Sequence, residues 1–281
     1  MRTIIGLAAL ARSGKDTAAS MLLAHQGVAA FALADPLKVG CQALFGLTDD
    51  ETWLDTQKEK TIELWGRSPR EFFQTVGTEW MRNHNADHWL MRAAREINPP
   101  SSQVSETSTS SPSKPLAPGA PDAPFSLAAQ AFFDFADEQM IGDAYDTLDA
   151  YWGLSPAQAV SLLKTLTLRM YPDFEERRVI RRLEPLKRRE QVPMTAHTIV
   201  IKDIRFENEA AFLRAHNGQI WHIKRPDLQA VKAHSSELGI EQASADVLIV
   251  NDGSLEVLRT RIEHAWAQQQ HKNQNINNNK N

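Results

Sequence analysis

The chain has 281 residues, enough to bury a sizeable core, and suits one domain carrying an insertion better than two full domains. Its formal net charge of −4 at pH 7 argues against a broad nucleic-acid-binding surface. A single cysteine, Cys41, excludes an internal disulfide and suits a reducing cytoplasm, and no apolar run approaches the length of a bilayer crossing.

In chain order the first predicted element is a strand over Thr3–Ala9. The run Ala9-Leu10-Ala11-Arg12-Ser13-Gly14-Lys15-Asp16-Thr17 follows, and then a helix-compatible stretch, Ala18–His25. Strand, glycine-containing loop and helix in that order are the context of a phosphate-binding P-loop. The loop N–H groups and the helix N-terminus converge on one point, which the aligned peptide dipoles make attractive to anions. Gly14 lets the backbone approach a phosphate with no side chain in the way, and Lys15 supplies a mobile cation for the β- and γ-phosphates. Two departures stand out: Ala9 occupies the place of the pattern's first glycine, and Asp16 that of the Ser or Thr that serves Mg²⁺. An aspartate beside phosphates is repulsive unless a metal lies between them. Asp16 is therefore expected near Mg²⁺ or turned away, with Thr17 supplying the hydroxyl. The competing readings are an ordinary turn with an exposed lysine, and a signal peptide built on Arg2 and the short apolar run behind it.

The second predicted strand is Val28–Leu33, followed by Ala34-Asp35-Pro36-Leu37-Lys38. Pro36 stiffens a helix start there, leaving Asp35 near the cap and Lys38 one turn on. Farther along, Arg67 and Arg70 flank a second helix start at Ser68-Pro69, and Gln74, Thr78 and Arg82 recur every four residues on one stripe. Such a stripe, beside Phe72, Phe73 and Trp80, suits a base and a monophosphate; a solvated face with the aromatics in the core is the simpler reading of those residues alone.

Asn98 to Pro124 is dominated by Pro, Ser, Thr and Ala, too little apolar surface to offset its ordering entropy, so a disordered linker is expected over 99–125. Helical character returns over 126–196, where Ser155-Pro156 forms an N-cap and Leu162, Leu163, Leu166 and Met170 share a face. Arg177, Arg178, Arg181, Arg182, Lys187, Arg188 and Arg189 alternate with Glu175, Glu176, Glu184 and Glu190, which favours a solvated helical face.

The third predicted strand, His197–Lys202, leads into Asp203-Ile204-Arg205-Phe206-Glu207-Asn208-Glu209. An acid at the end of a buried strand is suited to a Mg²⁺–water ligand, and the forked guanidinium of Arg205 to a phosphate. Glu207 and Glu209 read as ordinary acids at a helix start. The remaining strands are Gln219–Lys224 and Asp246–Asn251. The long polar loop from Arg225 to Gln242 is suited to a lid, with Arg225 and Lys232 closing over phosphates and His234 a hydrogen-bonding residue within it. Residues 266–281 are Gln- and Asn-rich and expected to be disordered.

Five strands rich in Ile, Val and Ala, separated by helices, imply an α/β fold with a five-stranded parallel sheet covered on both faces. Its chemistry is then expected at the carboxyl ends of the strands.

Together these motifs resemble the phage-type deoxynucleoside monophosphate kinases, a branch of the P-loop nucleoside monophosphate kinases. The resemblance rests on Arg12–Thr17, Ala34–Lys38, Ser68–Arg70, Gln74–Trp80, Asp203–Glu209, His234–Glu237 and Asn251–Ser254, and it covers 1–98 and 197–265 but not the block between. It implies the P-loop kinase three-layer fold, with Mg²⁺-ATP as donor and a deoxynucleoside 5′-monophosphate as acceptor. On that pattern Ala11, Arg12, Ser13, Gly14, Lys15, Asp16 and Thr17 hold ATP, and Asp203, with Asp16 or Thr17, serves the metal. Lys15, Asp203, Arg205 and Arg82 form the catalytic set, and Asp35, Lys38, Arg70, Gln74, Thr78 and Arg82 line the acceptor pocket. Partners are then small-molecule nucleotides rather than membrane or nucleic acid, with a homodimer left open. Two enzyme alternatives are a P-loop kinase for another small phosphorylated acceptor and one acting on modified bases in DNA. A third, non-enzymatic reading is a degenerate nucleotide-binding protein whose insertion mediates contacts.

Overall fold

The computed structural model describes residues 2–10, 12–97, 120, 122–181, 192–226 and 239–278. It divides into two compact units, one of residues 1–33 with 190–281 and one of residues 34–189.

The first unit holds a five-stranded sheet: β1 (Thr3–Ala8), β2 (Val28–Phe31), β3 (Thr198–Ile204), β4 (Gln219–Lys224) and β5 (Val247–Val250). The strand order is β2-β3-β1-β4-β5 and every pairing is parallel, as expected for strands buried on both faces. Helix α1 (Lys15–Leu23) follows β1, α10 (Glu207–Ala215) joins β3 to β4, and α11 (Leu255–Asn278) follows β5. Strand periodicity divides the two layers of helices. Ile5 and Leu7 point into a core shared with Ala18, Leu22, Leu258, Ile262 and Trp266 of α1 and α11. Gly6 faces the other way, toward α10, and a Cβ there would lie 2.5 Å from Leu213 Cδ1. Helices on both faces make this the three-layer α/β fold expected.

Several boundaries differ from expectation: β1 ends at Ala8 rather than Ala9, β2 at Phe31 rather than Leu33, and β5 spans Val247–Val250 rather than Asp246–Asn251. Strand β3 continues to Ile204, so Asp203 lies within the strand rather than beyond it; a register irregularity opposite Gly6–Ala8 of β1 accommodates the extra length. Residues 266–278, expected to be disordered, instead prolong α11 to Asn278. Composition alone was misleading here: Ala265, Trp266 and Gln269 are buried, and Trp266 stacks on His25 with ring centroids 4.7 Å apart.

Among its described residues the second unit has helices and no named strand. It contains α2 (Ala34–Phe45), α3 (Asp49–Trp53), α4 (Pro69–Gln74), a π-helix (Thr75–Arg82), α5 (His88–Ile97), α6 (Ala123–Phe133), a 3₁₀ turn (Asp137–Met140), α7 (Gly142–Asp146), α8 (Pro156–Met170) and α9 (Phe174–Ile180). Ser68 and Ser155 each cap a helix that has proline in its first turn, with Glu71 and Gln158 closing the capping boxes. The aromatic core stacks Phe45 on Phe72 at 3.9 Å, and Trp65 and Tyr171 meet edge-on at 5.0 Å. Both polar tips are satisfied: Trp65 Nε1 donates to Phe45 O at 3.0 Å and the Tyr171 hydroxyl to Trp65 O at 2.9 Å.

The expected separation of a helical insertion from the core does not hold in this unit. Helix α6 begins at Ala123, inside the span expected to be a linker, and packs along α2, while residues 98–119 and 121 lie outside the described residues. On α8 the buried stripe is Pro156, Ala159, Val160, Leu163 and Thr167; Leu162, Leu166 and Met170 flank it half-buried. The arginines of α9 are not a solvated face either. Arg177 pairs with Asp173 at 2.9 Å and lies over the Trp65 and Tyr171 rings at 5.8 and 5.0 Å. Arg181 pairs with Glu51 and donates to Gly46 O at 2.6 Å, and burial beside Arg181 lowers the Arg178 guanidinium to about 10. Arg182, Lys187, Arg188 and Arg189 fall outside the described residues. Among the described residues no helix is long and apolar enough to cross a membrane.

Candidate functional site

The loop expected to cradle phosphate lies where β1 gives way to α1. The Ser13 N–H and hydroxyl both donate to Leu10 O, at 3.3 and 2.7 Å, closing the loop on itself. Arg12 and Gly14 adopt left-handed backbone angles, φ 65° and 96°. Such angles are uncommon for a residue bearing a Cβ, and non-glycine residues in that region cluster at functional turns. Gly14 is the N-cap of α1 and Lys15 its first residue; Gly14 O accepts the Ala18 N–H at 2.9 Å. Lys15 is half-buried at the helix N-terminus, whereas Arg12, Asp16 and Thr17 are exposed. Ala11 lies outside the described residues.

Asp203 and Arg205 occupy the exit of β3, which neighbours β1 in the sheet. An Asp203 carboxylate oxygen accepts the Leu33 N–H at 2.8 Å, tying this exit to the chain leaving β2. Glu209 is buried and accepts the N–H groups of Arg205 and Phe206 at 2.8 and 3.1 Å, fixing the turn into α10. Glu207 accepts the Glu241 N–H, joining α10 to the segment before β5. Glu209 does the structural work expected of an acid at a helix start, whereas Glu207 ties the helix to a distant segment. Arg225 is exposed just beyond β4; Lys232 and His234, the other expected lid residues, lie outside the described residues.

In the helical unit Asp35 is buried in the first turn of α2, and Lys38 lies one turn on with its amine 4.9 Å from the Trp53 ring centroid. Arg70 forms an ion pair with Glu59, and both side chains are well exposed. Gln74, Thr78 and Arg82 are half-buried along α4 and the π-helix. The wider i→i+5 winding was not foreseen, and π turns recur at functional sites because they re-aim side chains. Burial of Trp80 and Phe72 bears out their place in the core.

Sequence reasoning left one participant without a role. Asn251, at the end of β5, donates its side-chain amide to Ser13 O of the loop at 2.9 Å. Its signals in the sequence were its place just after a strand at the sheet's carboxyl edge and its membership of the Asn251–Ser254 motif, neither of which pointed to the loop. On the neighbouring strand β4, His222, in register with Ala8 of β1, meets Asp246 Oδ2 at 3.0 Å, and Arg214 of α10 meets the same oxygen at 2.6 Å. Burial alone would raise the Asp246 carboxyl, but hydrogen bonds from Arg214, the Ala243 N–H and His222 hold it below the ordinary carboxylate range.

Among the described residues no group of three or more His, Cys, Asp or Glu forms a cage for a metal ion. That is compatible with Mg²⁺, which keeps several waters and takes only one or two carboxylates alongside substrate phosphates. The exposed Asp16 carboxylate and Thr17 hydroxyl in the first turn of α1 are donors of the right chemistry.

Residues 176–262 match the sequence model of the family described as deoxynucleotide monophosphate kinase. The match begins inside the block expected to fall outside the family pattern, so residues 176–196 belong with the matched part. The chain is also 41% identical over 83 residues to a protein of Acanthamoeba polyphaga mimivirus named "Putative deoxynucleotide monophosphate kinase". That alignment covers 29% of this chain and 43% of the relative. Both findings agree with the kinase family to which the motifs point.

Proposed function

We propose that the chain is a deoxynucleoside monophosphate kinase, transferring the γ-phosphoryl group of ATP to a deoxynucleoside 5′-monophosphate. The observation that carries this reading is the loop of residues 12–15, with two left-handed residues and Lys15 opening α1. Phosphoryl transfer asks mainly for positioning and charge neutralisation, and these residues are of that kind. Loop N–H groups and the dipole of α1 would bind the donor phosphates, and Lys15 would follow the charge that moves to the bridging oxygen. Mg²⁺, held by Asp16 or Thr17 with Asp203 nearby through water, would neutralise phosphate oxygens when bound. Arg205 and Arg82 would hold the acceptor phosphate or the transferring group.

Asp35, Lys38, Gln74 and Thr78 would line the acceptor pocket, joined by Arg70. The exposed Arg70–Glu59 pair does not oppose that role, because such a pair is worth about 0–1 kcal/mol and a phosphate dianion competes well for the guanidinium. Arg225, Lys232 and His234 would close as a lid, excluding water so that transfer goes to the acceptor.

The test is an assay of the purified chain with Mg²⁺-ATP and a panel of deoxynucleoside monophosphates, with Lys15→Ala alongside. Diphosphate formed from at least one of them is expected, with Lys15→Ala slower by on the order of 10²-fold or more. ATP binding without turnover of any monophosphate would turn the reading to a non-catalytic nucleotide-binding protein. Phosphorylation of a duplex carrying modified pyrimidines would move the substrate to DNA.

A further inference from the structure

We propose that Asn251 is the positioning residue of the phosphate loop: it sets the plane of the Ser13–Gly14 peptide and so aims the Gly14 N–H at the nucleotide. The inference rests on the nucleotide reading of that loop and adds to it a residue from the far edge of the sheet.

The Ser13 carbonyl and the Gly14 N–H belong to one planar trans peptide and point in opposite directions. Asn251 Nδ2 holds the carbonyl at 2.9 Å, so the N–H is turned to the side away from Asn251. Among the described residues nothing accepts from that N–H, which leaves it as a donor for an incoming anion. The same contact explains Gly14 a second time. A Cβ at that position would lie 2.5 Å from Asn251 Nδ2, so the amide occupies the space a side chain would need.

Asn251 is itself held rigidly. Its backbone N–H donates to Lys224 O at 2.7 Å, fixing it to the end of β4. On either side, Arg261 of α11 donates to Val250 O and pairs with the Asp252 carboxylate at 2.6 Å. The Arg261 hydrogen bond keeps the Asp252 carboxyl below its ordinary range. A loop braced in this way has its donors ordered before the ligand arrives, and binding does not have to supply that ordering. A neutral amide suits the task, since a carboxylate there would repel both the Ser13 carbonyl and the phosphates.

The experiment uses the full chain and the variants Asn251→Ala and Asn251→Asp. Calorimetry measures Mg²⁺-ATP and Mg²⁺-ADP binding, steady-state kinetics gives KM for ATP and for the monophosphate separately, and thermal melts report folding. For Asn251→Ala the expected result is an ATP affinity about tenfold weaker, the worth of one hydrogen bond, with the monophosphate KM within about twofold of wild type. Asn251→Asp, of the same shape, should lose more for ATP while melting cooperatively, which keeps the test alive should the alanine variant fail to fold. Unchanged ATP affinity in both variants overturns the proposal. So does an equal loss for both substrates accompanied by a fall in Tm, which is the signature of a merely structural residue. Failure of the wild-type chain itself to bind ATP or ADP would instead strike the nucleotide reading, and the two failures fall on different proteins.

Discussion

Asp203 and Leu33 are joined by a hydrogen bond of 2.8 Å, in which the carboxylate accepts the backbone N–H just beyond β2. The bond fixes the point where the chain leaves the sheet for α2, and it assigns Asp203 a structural task beside the metal-side role proposed for it. The two tasks separate by substitution. Asn at 203 keeps an acceptor oxygen for Leu33 but loses the charge; Ala loses both and leaves a backbone donor without that acceptor. Asp203→Ala should therefore cost about 1–3 kcal/mol of stability, whereas Asp203→Asn should melt close to wild type yet lose most phosphoryl transfer. Thermal melts and the kinase assay on the two variants check this. An Asn variant with full activity would remove the carboxylate charge from the chemistry.

Acid should destabilise the helical unit through His88. The ring is buried against Trp89, Phe133 and Trp152, and its Nε2 makes no hydrogen bond among the described residues. Burial, reinforced by the charges of Arg92 and His84, pushes the imidazole down to about 3. A folded-state value below the unfolded one means the unfolded chain binds the extra proton first. The stability this neutral ring contributes is then complete above about pH 6.5 and drains away as pH falls toward 3. Urea unfolding at a series of pH values should show that loss, and His88→Phe, which keeps a ring in the pocket, should flatten it. A pH dependence identical in the two proteins would show that His88 is not its source.

Much of this was legible in the sequence because it was local. Each strand announces itself by a short run rich in Ile, Val or Ala, and Gly14-Lys15 after Thr3–Ala8 by its order alone. Ser68 and Ser155 likewise carry their capping partners three residues on. What stayed hidden depends on contacts across many residues. The arginines in and just after α9 look solvated until Glu51 and Gly46 come round to meet Arg181, 130 and 135 residues away in sequence. Residues 266–278 look disordered until Trp266 finds His25. Asn251 acquires a purpose only when β5 closes the sheet and brings it to Ser13, 238 residues earlier. The π winding of Thr75–Arg82 has no local sequence signature that separates it from an α-helix with the same stripe.

The joining of α6 to α2 in one packed body can be tested at a single contact. Gly40 of α2 faces the Phe132 ring of α6 so closely that a Cβ would overlap its edge, and Phe132 is fully buried. A ring with no exposed side cannot swing away, so Gly40→Ala must push the two helices apart or force Phe132 from its rotamer. Overpacking of this kind costs about 1–3 kcal/mol, against the few tenths to 1 kcal/mol that alanine normally gains over glycine inside a helix. Phe132→Leu removes the ring edge that the new methyl would strike. The double variant should therefore be more stable than the sum of the two single losses, a coupling of at least about 0.5 kcal/mol measurable by urea unfolding. If Gly40→Ala is neutral or stabilising and the pair strictly additive, α6 does not rest on α2, and the helical insertion expected over 126–196 would stand as a separate segment.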